Sequence, residues 1–281
     1  MAKTHATRDW RSRHIEPFLR WAGGKRHIIE ELLECLPNDM GRRMYREPFF
    51  GAGSLFFALQ PERAILSDAN EHLINCYEHV RDAPELIFSY LRKHAAKSSK
   101  CYYYQVRHKY NNAPFSIAQA ARFIYLNSTC FNGIFRVNQK GKFNVPYGWK
   151  DPPKLPSLDH LKRASAALKP STLFAASFEV AIDSAPRTDF FYLDPPYPPL
   201  NGTSFFTHYT TDRFSNENQQ KLAELVMKIN ARGAKFLITN ADTPLIRRLY
   251  KPFNFKKISV TRYITCKAKK HRVSELIITN Y

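Results

Sequence analysis

Phe190-Phe191-Tyr192-Leu193-Asp194-Pro195-Pro196-Tyr197 is the stretch that decides the fold. An apolar run ends abruptly in a carboxylate, two prolines and a tyrosine. The run reads as a strand buried on both faces, and Pro195 must end its hydrogen-bond ladder. Asp194 then stands at the carboxyl edge of a sheet, where open α/β folds bind ligands. A proline lacks an N–H, so the backbone here offers only carbonyl acceptors. Asp194 and the Pro195 carbonyl make two converging acceptors, with the Tyr197 ring alongside. Such a set suits a planar amino group, for instance the exocyclic amine of a base. An Asp-Pro turn after a strand is common in α/β proteins, so the tetrad gains meaning from its surroundings.

On both sides of this stretch the chain keeps an alternating strand–helix order. Met44 to Phe50 reads as a short strand leading into Gly51-Ala52-Gly53-Ser54, followed by a helix from Leu55. Ala64 to Asp68 is a second strand ending in a carboxylate, and 70–80 a helix. That order is a nucleotide-binding βαβ unit. The glycines allow the backbone to approach a ligand closely, and Asp68 is placed to accept from ribose hydroxyls. No third glycine follows at the dinucleotide spacing, which disfavours NAD(P) and leaves a smaller adenosine-containing cofactor. After 157, strands at 172–176, 190–194 and 235–240 alternate with helices at 215–231 and 243–250. Strands at 255–264 and 275–281 have no helix between them and pair as a terminal hairpin. The fold class is α/β, a mostly parallel sheet with an antiparallel end.

The middle differs. Helices are expected at 84–97 and 117–127, with a tyrosine-rich basic segment between them. A β-hairpin is expected over 135–145, turning at Gln139-Lys140-Gly141. Between Glu85 and Asp151 there is no acidic residue but eleven cations, from Arg92 to Lys150. Tyr102, Tyr103, Tyr104, Tyr110, Phe131, Phe135 and Tyr147 are interleaved with them. Formal net charge is +19. Basic residues mixed with aromatics suit a phosphate backbone and unstacked bases. The five cysteines are scattered and show no zinc spacing, so reduced thiols and no metal are expected. The start, Met1 to His14, is polar and basic, unlike a signal peptide, and no run is long enough to span a membrane.

Taken together, several motifs resemble the Dam-like (D12 class) N6-adenine DNA methyltransferases, closest to GATC-modifying enzymes of the DpnII type. They are Trp21-Ala22-Gly23-Gly24-Lys25, Glu47 to Ser54, Leu66-Ser67-Asp68, Phe131 to Asn138, Phe143 to Gly148 and Asp194 to Tyr197. The likeness runs in order from Pro17 to Tyr281. It implies a Rossmann-like S-adenosylmethionine methyltransferase sheet from residues 1–70 and 157–281, with 71–156 as an inserted, mainly helical target-recognition domain. It implies S-adenosylmethionine held by Trp21, Lys25, Glu47, Phe49, Gly51, Gly53, Asp68 and Asp194. Lys25 would pair with the cofactor carboxylate, and Trp21 would lie against its methionine half. Asp194, Pro195, Pro196 and Tyr197 would be catalytic.

The target adenine must be flipped from the duplex to be reached. Asn132, Ile134, Arg136, Lys140, Lys142 and Pro146 would contact double-stranded DNA. Arg136 is suited to a bidentate guanine contact, and the two lysines to phosphate. The setting expected is cytoplasmic and nucleoid-associated, in a prokaryote or phage, within restriction–modification or housekeeping, with the enzyme monomeric. Methylation of cytosine N4 uses the same amino-group logic, although that class more often carries Ser where Asp194 stands. A DNA-binding protein with this fold and no activity is the rival outside enzymes. RNA or protein-glutamine substrates leave the basic insert unexplained.

Overall fold

The computed structural model describes residues 10–150, 152–183, 186–198, 214–263 and 270–281. The first nine residues of the basic start, Ile264 and Cys266 lie outside them. Strands are β1 Met44–Glu47, β2 Ala64–Asp68, β3 Ser171–Ala175, β4 Asp189–Leu193, β5 Lys235–Ala241, β6 Asn254–Tyr263 and β7 Lys270–Thr279. Helices are α1 Trp10–Arg13, α2 Ile29–Glu34, α3 Ser54–Leu59, α4 Glu71–Asp82, α5 Pro84–Ala96, α6 Lys100–Tyr110, α7 Ile117–Thr129, α8 Leu158–Leu168, α9 Phe178–Ile182, α10 Asn216–Ala231 and α11 Pro244–Leu249.

One seven-stranded sheet runs in the order β3-β2-β1-β4-β5-β7-β6. The first five strands in that order pair in parallel. β7 runs antiparallel between β5 and β6, which is the terminal hairpin. β4 is buried along its whole length. Phe190 and Tyr192 enter one core, whereas Phe191 and Leu193 enter a second core on the opposite face. Burial on both faces explains why β4 reads as a continuous apolar run rather than an alternating one. Strand order reverses between β1 and β4. The crevice beyond their carboxyl ends is therefore a topological switch point, the place where such sheets bind ligands.

Helix starts follow local chemistry. Asn70, Ser99, Ser116, Ser157, Ser215 and Thr243 each accept a backbone N–H from the first turn of the helix they precede. α6 falls in the tyrosine-rich segment, whose basic and aromatic character masks its helical period. Tyr103, Val106 and Tyr110 form its buried stripe, at helical spacing. α8 was likewise not anticipated, although Leu161, Ala164 and Leu168 carry the same period. The expected hairpin at 135–145 is reduced to one bridge, Val137 with Phe143. Its turn is built on Asn138, whose Oδ1 accepts from Lys140 N and Lys142 N, both at 3.0 Å. α4 packs on the sheet and on α7, so residues within 71–156 and the sheet share one core.

His94 on α5 gives that core a pH dependence. It is 8% exposed, its Nδ1 lies 2.9 Å from the Tyr102 hydroxyl, and its ring stacks on Tyr125 at 5.0 Å. Burial, with Arg122, Lys109 and Lys97 nearby, lowers its pKa from 6.5 to about 4. A depressed pKa means the contribution is complete above the unfolded value and lost as pH falls through the folded one. Denaturant unfolding should lose up to about 3 kcal/mol between the unfolded and folded values. His94→Gln should flatten that slope, and an unchanged slope would place the acid sensitivity elsewhere.

Candidate active site at the carboxyl edge of the sheet

Asp194 follows β4 directly, and both carboxylate oxygens are engaged. Oδ2 accepts from Lys25 Nζ at 2.8 Å, and Oδ1 accepts from Thr239 Oγ1 at 2.6 Å. Thr239 arrives from β5, whose Ile238 is opposite Leu193 in the parallel register. Lys25 is 4% exposed, donates also to the Gly23 carbonyl at 2.7 Å, and lies 4.8 Å from the Tyr197 ring centre. The Tyr197 hydroxyl donates to Glu275 Oε2 at 2.9 Å. Burial raises the Asp194 pKa above its ordinary value, while Lys25 and Thr239 oppose the rise. The Pro196 carbonyl accepts from Gln219 Nε2 at 2.9 Å.

The glycine turn sits beside this cluster. Gly51 and Gly53 have φ of +48° and +65°. A Cβ on Gly51 would meet Trp21 Cδ1 at 2.9 Å, and one on Gly53 would meet the Phe50 ring at 2.6 Å. Only glycine permits this backbone so close to two rings. Asp68 pins the turn, accepting from Gly51 N at 3.0 Å and Asn70 N at 2.9 Å. Tyr77 closes it from below, donating to the Gly51 carbonyl at 2.9 Å. Glu47 is buried and accepts from the Tyr45 hydroxyl at 2.7 Å. Burial first, then the charges of Asp194 and Asp68, push its pKa well up, with the Tyr45 bond opposing. Phe49 stacks on Phe178 at 5.5 Å. Ser54 Oγ and Asn70 Nδ2, both beside the turn, are buried without a hydrogen-bond partner among the described residues.

The residues expected to read DNA lie on the loop after α7. Asn132 has φ +55° and is exposed, next to Gly133, where a Cβ would meet Arg20 Cδ at 2.6 Å. Ile134 is half-buried; Arg136, Lys140, Lys142 and Pro146 are exposed. Arg136 Nε donates to Asn144 Oδ1 at 2.8 Å, and Lys142 Nζ to Asn112 Oδ1 at 3.2 Å. The Pro146 carbonyl accepts from Phe131 N at 2.9 Å. Trp21 connects this loop to the glycine turn by stacking on Phe135 at 5.7 Å.

The chain belongs to the D12 class N6 adenine-specific DNA methyltransferases, whose family model matches residues 21–264. It is 36% identical to the type II methyltransferase M1.LlaDCHI of Lactococcus lactis subsp. cremoris, covering 95% of this chain and 96% of that one. It is 40% identical to the type II methyltransferase M.MjaIII of Methanocaldococcus jannaschii, covering 95% and 99%. It is 33% identical to the DNA adenine methylase of Escherichia coli K12, covering 92% and 93%. The chain is an adenine-specific DNA methyltransferase. Among the described residues, no helix is long and apolar enough to cross a membrane.

Four residues of the site were not found by sequence reasoning: Thr239, Gln219, Glu275 and Asn127. Glu275 carried a signal, a carboxylate inside the apolar run Glu275 to Ile278. Asn127, on α7, carried none. Its Oδ1 accepts from Arg20 N at 2.9 Å, and its Nδ2 donates to the Arg20 carbonyl at 2.8 Å and the Gly133 carbonyl at 3.2 Å. One buried amide thus clamps the segment before Trp21 to the loop after α7. Asn127→Ala leaves those backbone groups unpaired. It should cost about 2–3 kcal/mol in denaturant unfolding, against less than about 1 kcal/mol for a replaceable contact.

Proposed function

We propose that the protein transfers methyl from S-adenosylmethionine to N6 of an adenine flipped out of duplex DNA, within a short site expected to be GATC. The observation that carries the mechanism is the Asp194 carboxylate, held at the switch point by Lys25 and Thr239. Adenine N6 is a poor nucleophile because its lone pair is delocalised into the ring. Asp194 and the Pro195 carbonyl accept its two N–H bonds, which favours a pyramidal nitrogen and exposes the lone pair. Gln219 takes the Pro196 carbonyl and fixes the turn, so the acceptor role falls to Asp194 and Pro195. The acceptors also stabilise positive charge as it develops on nitrogen. Tyr197 offers its ring to the flipped base.

The residues present fit the cofactor. Ser54 Oγ and Asn70 Nδ2 are buried polar atoms still needing partners beside a turn that only glycine permits. Asp68, Glu47, Gly51 and Gly53 would hold the adenosine portion, with Trp21, Lys25 and Phe49 around the remainder. When bound, S-adenosylmethionine supplies the electrophilic methyl of a sulfonium. Lys25 favours the ionised form of Asp194 against burial, and the ionised form is the one that accepts.

Residues 71–156 form the target-recognition region in this reading. Arg136 is exposed and suited to a guanine edge, with Asn144 holding its Nε. Asn132 and Ile134 flank it. Lys140, Lys142 and Pro146 would meet the backbone. The monomer is the expected acting unit on double-stranded DNA.

Asp194→Ala should lower methylation by about 10²–10³-fold or more while DNA binding stays near wild type. Turnover like that of wild type would refute the mechanism. Arg136→Ala should relax specificity at one base pair, at about 1–3 kcal/mol of discrimination. A uniform loss over all sequences, with a shallower salt dependence, would make Arg136 a phosphate contact.

A further inference from the structure

Glu275 is a buried carboxylate that the mechanism above leaves without a role. It is 2% exposed and begins the apolar end of β7, opposite Ala241 of β5 and Ile258 of β6. The antiparallel ladder is made by backbone groups and does not need an acid there. Burying a carboxylate is costly unless it is hydrogen-bonded. Here it accepts from the hydroxyl of Tyr197, 78 residues away in sequence. Gln219 fixes the Pro196 carbonyl and Lys25 lies on the Tyr197 ring at 4.8 Å. The tyrosine is held at its backbone neighbour, its ring and its hydroxyl.

We infer that Glu275 is a positioning residue for methyl transfer, fixing where the Tyr197 ring lies for the flipped base to stack on it. This rests on the reading that Tyr197 stacks on the target adenine. A tyrosine side chain turns about two torsions. The hydroxyl lies on the axis of the second torsion, so anchoring it fixes the first torsion and with it the position of the ring, while Lys25 on the ring's face restrains the plane. Without the anchor, the ring must be ordered each time a base enters, a cost that appears in the base-flipped state and not in cofactor binding. Immobilising one such side chain corresponds to roughly a two- to tenfold change. The role needs an acceptor at this position, not a charge.

The test is a set of variants in the full chain, with 2-aminopurine at the target adenine to report flipping and labelled S-adenosylmethionine to report affinity and turnover. Glu275→Ala should lower the flipping signal and kcat/KM for DNA roughly two- to tenfold, with cofactor affinity unchanged. Glu275→Gln, which keeps an acceptor oxygen, should restore both. Tyr197→Phe should match Glu275→Ala, and the double variant should be no worse than either single one. Losses that multiply in the double variant, or a Glu275→Gln as impaired as Glu275→Ala, would overturn the proposal. If Glu275→Ala does not fold, Tyr197→Phe decides the matter, because it leaves the strand untouched. Wild-type signal and rate in Tyr197→Phe would refute the anchor. A wild-type protein that gives no flipping signal would instead refute the stacking reading beneath it.

Discussion

A single ammonium organises the carboxyl edge of the sheet. Lys25 Nζ meets Asp194 Oδ2 at 2.8 Å, with side chains 5% and 17% exposed. Taking two charges out of water costs several kcal/mol each, and the attraction repays that only when further hydrogen bonds complete the pair. Here they do: Gly23 accepts from Lys25, and Thr239 donates to Asp194. The pair spans 169 residues, tying the loop before α2 to the end of β4. Tyr197 covers the ammonium and Glu275 holds Tyr197. Removing either ion would strand its partner in a dry environment, so the edge is built as one unit rather than as separate contacts.

The same linkage reaches the loop after α7. Asn127 clamps Arg20 to Gly133, and Trp21 stacks on Phe135 while closing over Gly51. The segment that carries Trp21 and Lys25 is therefore packed between the glycine turn and the loop bearing Asn132 to Arg136. Bringing two rings and an arginine stem this close requires glycine at 51, 53 and 133, each at positive φ.

Much of this was legible in the chain because backbone grammar wrote it. A proline after an apolar run marks where β4 must stop, and glycines mark where the backbone turns left-handed. An acid closing the next strand falls where such folds place one, and Asp68 does pin the Gly51 turn. α6 escaped because its tyrosines served two readings at once. Their basic neighbours pointed to nucleic acid, while the stripe Tyr103, Val106 and Tyr110 was core. Thr239 and Glu275 escaped for a different reason. Their roles depend on strand register, β4 beside β5 and β5 against β7, and register is a tertiary fact. A carboxylate in an apolar strand was the one trace that Glu275 left in the sequence.

Transfer of methyl from S-adenosylmethionine to adenine N6 in DNA is the reaction proposed for this edge. The most direct measurement incubates the purified protein with labelled S-adenosylmethionine and unmethylated duplex DNA, then maps the modified bases by sequencing. The expected product is N6-methyladenine confined to one short motif, GATC. Label on cytosine N4, or none on DNA while the cofactor still binds, would contradict it.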